Sequence, residues 1–190
     1  AVALAGRMSA QGLPPFIQSF FALIEAENLC LGDGTTFEFQ SDTPPDSVLW
    51  EFGDGTTSTL ENPTHTYASS RIFNVVLSLT SGGSTRVYRK NVQIYDTPIA
   101  NTINNITACD TNNDGREIVD LELLATPQML GSQNRNLFTV RYFIDQASAD
   151  INRSGVSSSY QMEVAQQTLI ARIYNSNNQD CYATLSFDIN

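Results

Sequence analysis

The chain has 190 residues, enough for one large domain or two small ones. Its formal charge of −10, with no run of five like charges, excludes the clustered Lys and Arg that a phosphate backbone requires. No stretch reaches the roughly 18 apolar residues that span a bilayer as a helix. Residues 1–12 combine an apolar run with a small-residue cleavage-like step at Ser9-Ala10. Residues 1–19 therefore read as the remnant of a secretory leader or as an N-terminal extension, and Pro14-Pro15 makes an extended lead-in.

Residues 20–25 are expected to open a β-sandwich. Leu31 to Thr35 form a turn, and Thr36 to Gln40 alternate, which predicts a strand burying Phe37 and Phe39. After the proline-rich turn at 42–47, Val48, Trp50 and Phe52 alternate with polar neighbours and break into Gly53-Asp54-Gly55. Glycines there supply the positive φ that other residues resist. Asn62-Pro63-Thr64-His65-Thr66-Tyr67 makes a corner, followed by strands at 72–79 and 85–95 around a Ser81–Ser84 hairpin turn. Trp50 is the natural core anchor, because an indole buries a large area while its N–H still finds a partner.

Trp50-Glu51-Phe52-Gly53-Asp54-Gly55 followed by Asn62-Pro63-Thr64-His65-Thr66-Tyr67 resembles the PKD domain, an immunoglobulin-like β-sandwich of extracellular proteins. The resemblance covers residues 20–96 and makes Trp50, Gly53, Asp54, Gly55, Asn62, Pro63, His65 and Tyr67 its structural motif. Asp54 is expected to cap turn N–H groups and His65 to bond within the corner. Gly53-Asp54-Gly55 lacks the Gly-Lys-Ser/Thr and the helix of a phosphate loop. His65 is the only histidine, and no Ser or Cys stands in a nucleophile elbow, so no catalytic residue is assigned and the chain is expected not to be an enzyme.

Thr97-Pro98 marks a boundary, and residues 97–190 are expected to be a second immunoglobulin-like sandwich. Candidate strands lie at 102–108, 116–121, 137–144, 168–174 and 182–189, with helical turns within 124–130 and 145–150 and a polar hairpin loop at 175–180. The fold class is thus all-β, two tandem β-sandwiches. Of the three pairings that Cys30, Cys109 and Cys181 allow, a Cys109–Cys181 disulfide is expected, because those two bracket the second half; Cys30 then remains a lone buried thiol or pairs with something outside this sequence.

Asp110-x-Asn112-x-Asp114-Gly115 is the one metal-like constellation. Ca2+ takes hard oxygens, and alternating Asp and Asn before a Gly wraps a loop around it. The twelfth position is Leu121 rather than a bidentate Glu, so this is no EF-hand, and Asp120 or Glu117 would have to complete the set. The competing reading is a turn braced by its own Asx side chains. No cofactor other than this candidate Ca2+ is expected.

The second half, with Cys109-Asp110-Thr111-Asn112-Asn113-Asp114-Gly115 and Cys181-Tyr182-Ala183-Thr184, is similar to a Cys-Asp-rich module of long Bacteroidota surface proteins. That resemblance implies export by the type IX secretion system, gliding-motility-associated or adhesin-like roles, and a place at the outer membrane of a Gram-negative cell without spanning it. Partners would be surface or outer-membrane proteins or polysaccharide. Two alternatives stand: an accessory polymer-binding domain pair of a secreted hydrolase, and a subunit docked on an outer-membrane secretion complex.

Overall fold

The computed structural model describes residues 22–109, 116–162 and 166–190. The expected leader remnant at 1–19 and the loop residues Asp110, Asn112 and Asp114 lie outside them.

Among the described residues the first half has seven strands: β1 (Ala22–Glu27), β2 (Thr35–Ser41), β3 (Ser47–Glu51), β4 (Thr57–Ser58), β5 (Thr64–His65), β6 (Ile72–Ser81) and β7 (Ser84–Gln93). They form two sheets, β1-β2-β5 and β4-β3-β6-β7, with antiparallel pairing throughout. Alternation in the sequence becomes sidedness here, since successive side chains in a strand point to opposite faces. Phe73, Val75, Leu77 and Leu79 of β6 turn inward with Trp50 of β3, and meet Ala22, Ile24 and Phe37 from the facing sheet. Trp50 and Phe37 are fully buried, with ring centroids 5.5 Å apart. A ring system of that size removes roughly 200 Å2 from water, up to about 5 kcal/mol of driving force. Phe39 is only half-buried, at the sheet's margin.

The second half contains β8 (Glu117–Asp120), α1 (Leu121–Leu124), α2 (Thr126–Leu130), β9 (Phe138–Phe143), α3 (Gln146–Asp150), β10 (Ser159–Met162), β11 (Gln167–Asn175) and β12 (Asn178–Ile189). Sheet β9-β11-β12 faces the pair β8-β10, with α1 and α2 helping to close the core. Leu169, Ala171 and Ile173 of β11 are fully buried on one face of that sheet. The chain is thus two tandem immunoglobulin-like β-sandwiches, each around its own core.

Two expectations change. Residues 102–108 are not a strand: Ile106 alone makes a bridge, to Ile189, flanked by backbone bonds with Asp188 and Asn190. The segment is held to α2 instead, by Asn101 and Gln128. A strand was also unforeseen at 159–162, where Ser-Tyr-Gln-Met alternates over only four residues, too short a run to stand out, and becomes a strand by pairing with β8 as the chain returns alongside it.

Candidate functional site

The Gly-Asp-Gly turn and the Asn-Pro-Thr-His corner meet at one end of the first sandwich. Asp54 accepts the Thr56 backbone N–H at 3.0 Å and the Thr56 hydroxyl at 2.6 Å. Its other oxygen lies 2.7 Å from His65 Nε2. The His65 ring stacks on Phe52, with centroids 4.2 Å apart and planes 8° from parallel, and meets the edge of Tyr67. Tyr67 donates to the Phe52 carbonyl at 3.1 Å, Trp50 Nε1 donates to the Glu61 carbonyl, and buried Pro63 offers its carbonyl to the Phe37 N–H. Asn62 stays exposed. Gly53 has φ +83°, and a Cβ there would fall 2.7 Å from the Asn74 carbonyl oxygen, so both conformation and close approach require glycine. Gly55, at φ +95°, faces open space.

Burial alone would raise the Asp54 pKa, but the hydrogen bonds from Thr56 and His65 outweigh it and hold the carboxyl down at about 2. Burial, with the Asp54 charge behind it, pushes the Tyr67 phenol above its ordinary range. Despite its membership, Asp54–His65–Thr56 is not a nucleophilic triad. A triad sets the carboxylate on one imidazole nitrogen and the nucleophile on the other. Here Asp54 and Thr56 both approach Nε2, and the Thr56 hydroxyl proton is committed to Asp54. What this arrangement does is fasten two loops.

The cysteines pair differently from the sequence expectation. Cys181 is bonded to Cys30, across the two sandwiches, and Cys109 is a free, exposed thiol. The expected Cys109–Cys181 bridge fails on distance. Residues 106–108 run beside the end of β12, with the Ala108 N–H bonded to the Asn190 carbonyl, whereas Cys181 lies near its start. Eight residues of strand span about 26 Å, far beyond the roughly 7 Å that a disulfide tolerates between Cα atoms. Cys30 occupies the β1–β2 loop, which lies against residue 95 through the bonds Leu31 N–H to Tyr95 O and Tyr95 N–H to Leu29 O.

That covalent link sits in a wider junction. Buried Asn175, at the end of β11, donates from Nδ2 to the Asp96 carbonyl at 2.9 Å, and its Oδ1 accepts the Asn177 N–H. Thr97 donates to the Leu31 carbonyl, and Ser70 to the Asp96 carboxylate. Gln133 pairs through both ends of its amide with the N–H and C=O of Ile99, so the connecting segment is itself held to the second sandwich. An open cleft of about 470 Å3 runs along this junction, lined by Gln93 to Asp96 on one side and by Leu137, Asn175 and Asn177 on the other. In the sequence, Asn175 and Asn177 belong to a polar hairpin loop and Gln93 to Tyr95 to a strand, and none of these residues shows a sign of belonging to a junction. The single available signal was the odd cysteine count.

Other candidates resolve into structural roles. Asp120 accepts the Leu123 N–H as the N-cap of α1. Glu122 accepts the Thr126 hydroxyl and pairs with Arg135 at 3.1 Å on the surface. Among the described residues no group of three or more His, Cys, Asp or Glu is placed to hold a metal ion. No helix among them is long and apolar enough to cross a membrane.

Comparison with known proteins agrees with this division. A family model described as the PKD domain matches residues 22–94. A second, described as the Flavobacterium inter-domain disulphide bond domain, matches 105–190. A microbial collagenase of Vibrio alginolyticus is 46% identical over 54 residues, which is 26% of this chain and only 7% of that protein. The PKD1 domain of Vibrio anguillarum Epp is 24% identical over 39% of this chain and 90% of its own, with TM-score 0.36. The PKD1 domain of the Vibrio cholerae metalloprotease PrtV is 27% identical over 41% of this chain and 95% of its own, with TM-score 0.34. A structure described for carbohydrate-binding modules of the β-sandwich superfamily is 15% identical over 80% of this chain and 56% of its own, with TM-score 0.38.

Proposed function

We propose that this chain, a PKD domain joined to a Flavobacterium inter-domain disulphide bond domain, is a non-catalytic binding and spacing module of a secreted bacterial surface protein. The single observation that carries the reading is the Cys30–Cys181 bond across the junction. Domains joined by a short segment rotate freely by default. A covalent link far from the connecting segment in sequence, reinforced by Asn175, Thr97 and Gln133, removes that freedom. A module that holds one sandwich at a set angle to the next suits a stalk bearing binding loops. Such a bond persists in oxidising compartments, which favours an exported protein.

Adhesin-like or gliding-associated action, type IX export and residence at the outer membrane are the finer parts of this reading, supported by resemblance alone. Antibody raised against the chain should label intact cells of the source bacterium; signal confined to the cytosol would overturn it. The stretch 46% identical to a collagenase favours a second reading, an accessory polymer-binding pair beside a catalytic domain. A catalytic domain in the same open reading frame would support it.

A further inference from the structure

We propose that the cleft between the two sandwiches is a binding site for a neutral glycan. It rests on the proposed extracellular role only in that such polymers are met outside the cell.

The case lies in which polar atoms are already engaged. Asp96 accepts from Ser70 through one carboxylate oxygen, and its other oxygen accepts no hydrogen bond from another described residue. Gln93 donates to the Ile94 carbonyl, leaving its own amide oxygen open. Asn177 is anchored through its backbone N–H to Asn175, so its side-chain amide keeps both donors and its acceptor. The hydroxyl of half-buried Tyr95 makes no hydrogen bond to another described residue. These groups line one cleft of about 470 Å3, within the usual size of a small-ligand site, and domain junctions are favoured places for such sites.

Two of these groups are held in place and a third rides on a short turn. Tyr95 is fixed by backbone bonds to Leu29 and Leu31 beside Cys30, and Asp96 by Ser70 and Asn175. Asn177 belongs to the β11–β12 turn, a few residues before Cys181. The disulfide thereby presets both walls before any ligand arrives, which lowers the ordering cost of binding.

The chemistry selects the ligand. Asp96 is the one charged side chain lining the cleft, in a chain of net charge −10, so an anionic polymer is repelled. A single carboxylate is too few hard ligands for Ca2+. Apolar lining is limited to Leu137 and Ile94 besides the Tyr95 ring, too little for a hydrophobic peptide. A carboxylate and two amides, offering acceptors and donors together, match the adjacent hydroxyls of a sugar, while Leu137 and Tyr95 suit its C–H faces.

The test is a titration of the oxidised, isotope-labelled full chain with neutral hexasaccharides: β-1,4-glucose, β-1,3-glucose, β-1,4-N-acetylglucosamine, β-1,4-xylose and β-1,4-mannose. At least one should move the side-chain amide signals of Gln93 and Asn177. Asn177→Ala and Asp96→Asn should each weaken that binding about tenfold. Asn177→Ala removes an exposed side chain with no hydrogen-bond partner among the described residues and should leave the thermal midpoint unchanged. Failure of all five sugars to shift these signals at about 10 mM overturns the proposal. So does binding that survives both substitutions. Neither result bears on whether the chain is displayed at the cell surface, which the antibody experiment reads independently.

Discussion

Replacing Cys30 and Cys181 together by serine should destabilise whichever sandwich unfolds first, since the bond restrains either one while the other is folded. A cross-link stabilises mainly by shrinking the unfolded ensemble, and the loop that matters is the one still flexible when a single domain unfolds. With the first sandwich folded, backbone bonds hold Cys30's neighbours to Tyr95. Unfolding the second then leaves a ring of roughly 85 residues, from Tyr95 to Cys181. With the second folded, Ile106 is pinned beside Ile189, and unfolding the first leaves a ring of roughly 75 residues, from Cys30 to Ile106. Because the entropy depends on the logarithm of loop length, both rings give about 4.5 kcal/mol in the chain-entropy limit, and native disulfides removed from small domains cost about 2–5 kcal/mol. For domains of this size each kcal/mol is about 4–8 °C in midpoint. Once one sandwich has melted, melting the other only enlarges the ring to the 151 residues between the cysteines, a further gain of about 0.6 kcal/mol. Calorimetry of the oxidised chain and the double variant should therefore show the first transition falling by at least about 10 °C and the later one by much less. Midpoints that do not move would refute the reasoning, since the link would then restrain neither unfolded chain.

Three further outcomes follow from the same geometry. Gly53→Ala should cost about 2 kcal/mol or more, because it meets the Asn74 carbonyl at a positive φ, while Gly55→Ala, strained but unobstructed, should cost about half as much; urea denaturation separates them. The Asp54 carboxyl is depressed to about 2 in the fold, so its stabilising effect is complete above its unfolded value and is lost as pH falls from about 4 towards 2; in Asp54→Asn the midpoint should fall less steeply across that window, and an unchanged slope would count against the His65 and Thr56 bonds. Iodoacetamide should modify one thiol per native chain, at exposed Cys109, and three only after reduction and unfolding; two or more labels on the native protein would contradict the Cys30–Cys181 link.

Local patterning carried the first sandwich. Phe73, Val75, Leu77 and Leu79 announce a strand with one buried face, since period-two alternation has no other stable placement against a core. The Gly-Asp-Gly turn and the Asn-Pro-Thr-His corner were equally legible, because each consists of residues whose backbone preferences and short polar side chains act within a few positions. In the second half, α3 could be read from Asp145, which caps it through the Ser148 N–H, and β11 from its apolar run. Residues 159–162 could not, because their strand exists only through its pairing with β8.

The junction belongs to the tertiary structure. Cys109 and Cys181 bracket one domain in sequence, yet β12 carries them to opposite ends, whereas Cys30, 151 residues from Cys181, comes within a Cα separation of 5.2 Å. Asn175, Asp96 and Asn177 look like ordinary turn residues until two sandwiches stand side by side. Sequence alone determined most of the strands, the corner and the acidic, β-rich character, since these depend on interactions between near neighbours. Which sulfur meets which, and which polar atoms face a shared cleft, was decided by how the two sheet stacks are positioned in space, because contacts between distant residues are set by packing and leave no periodicity to read.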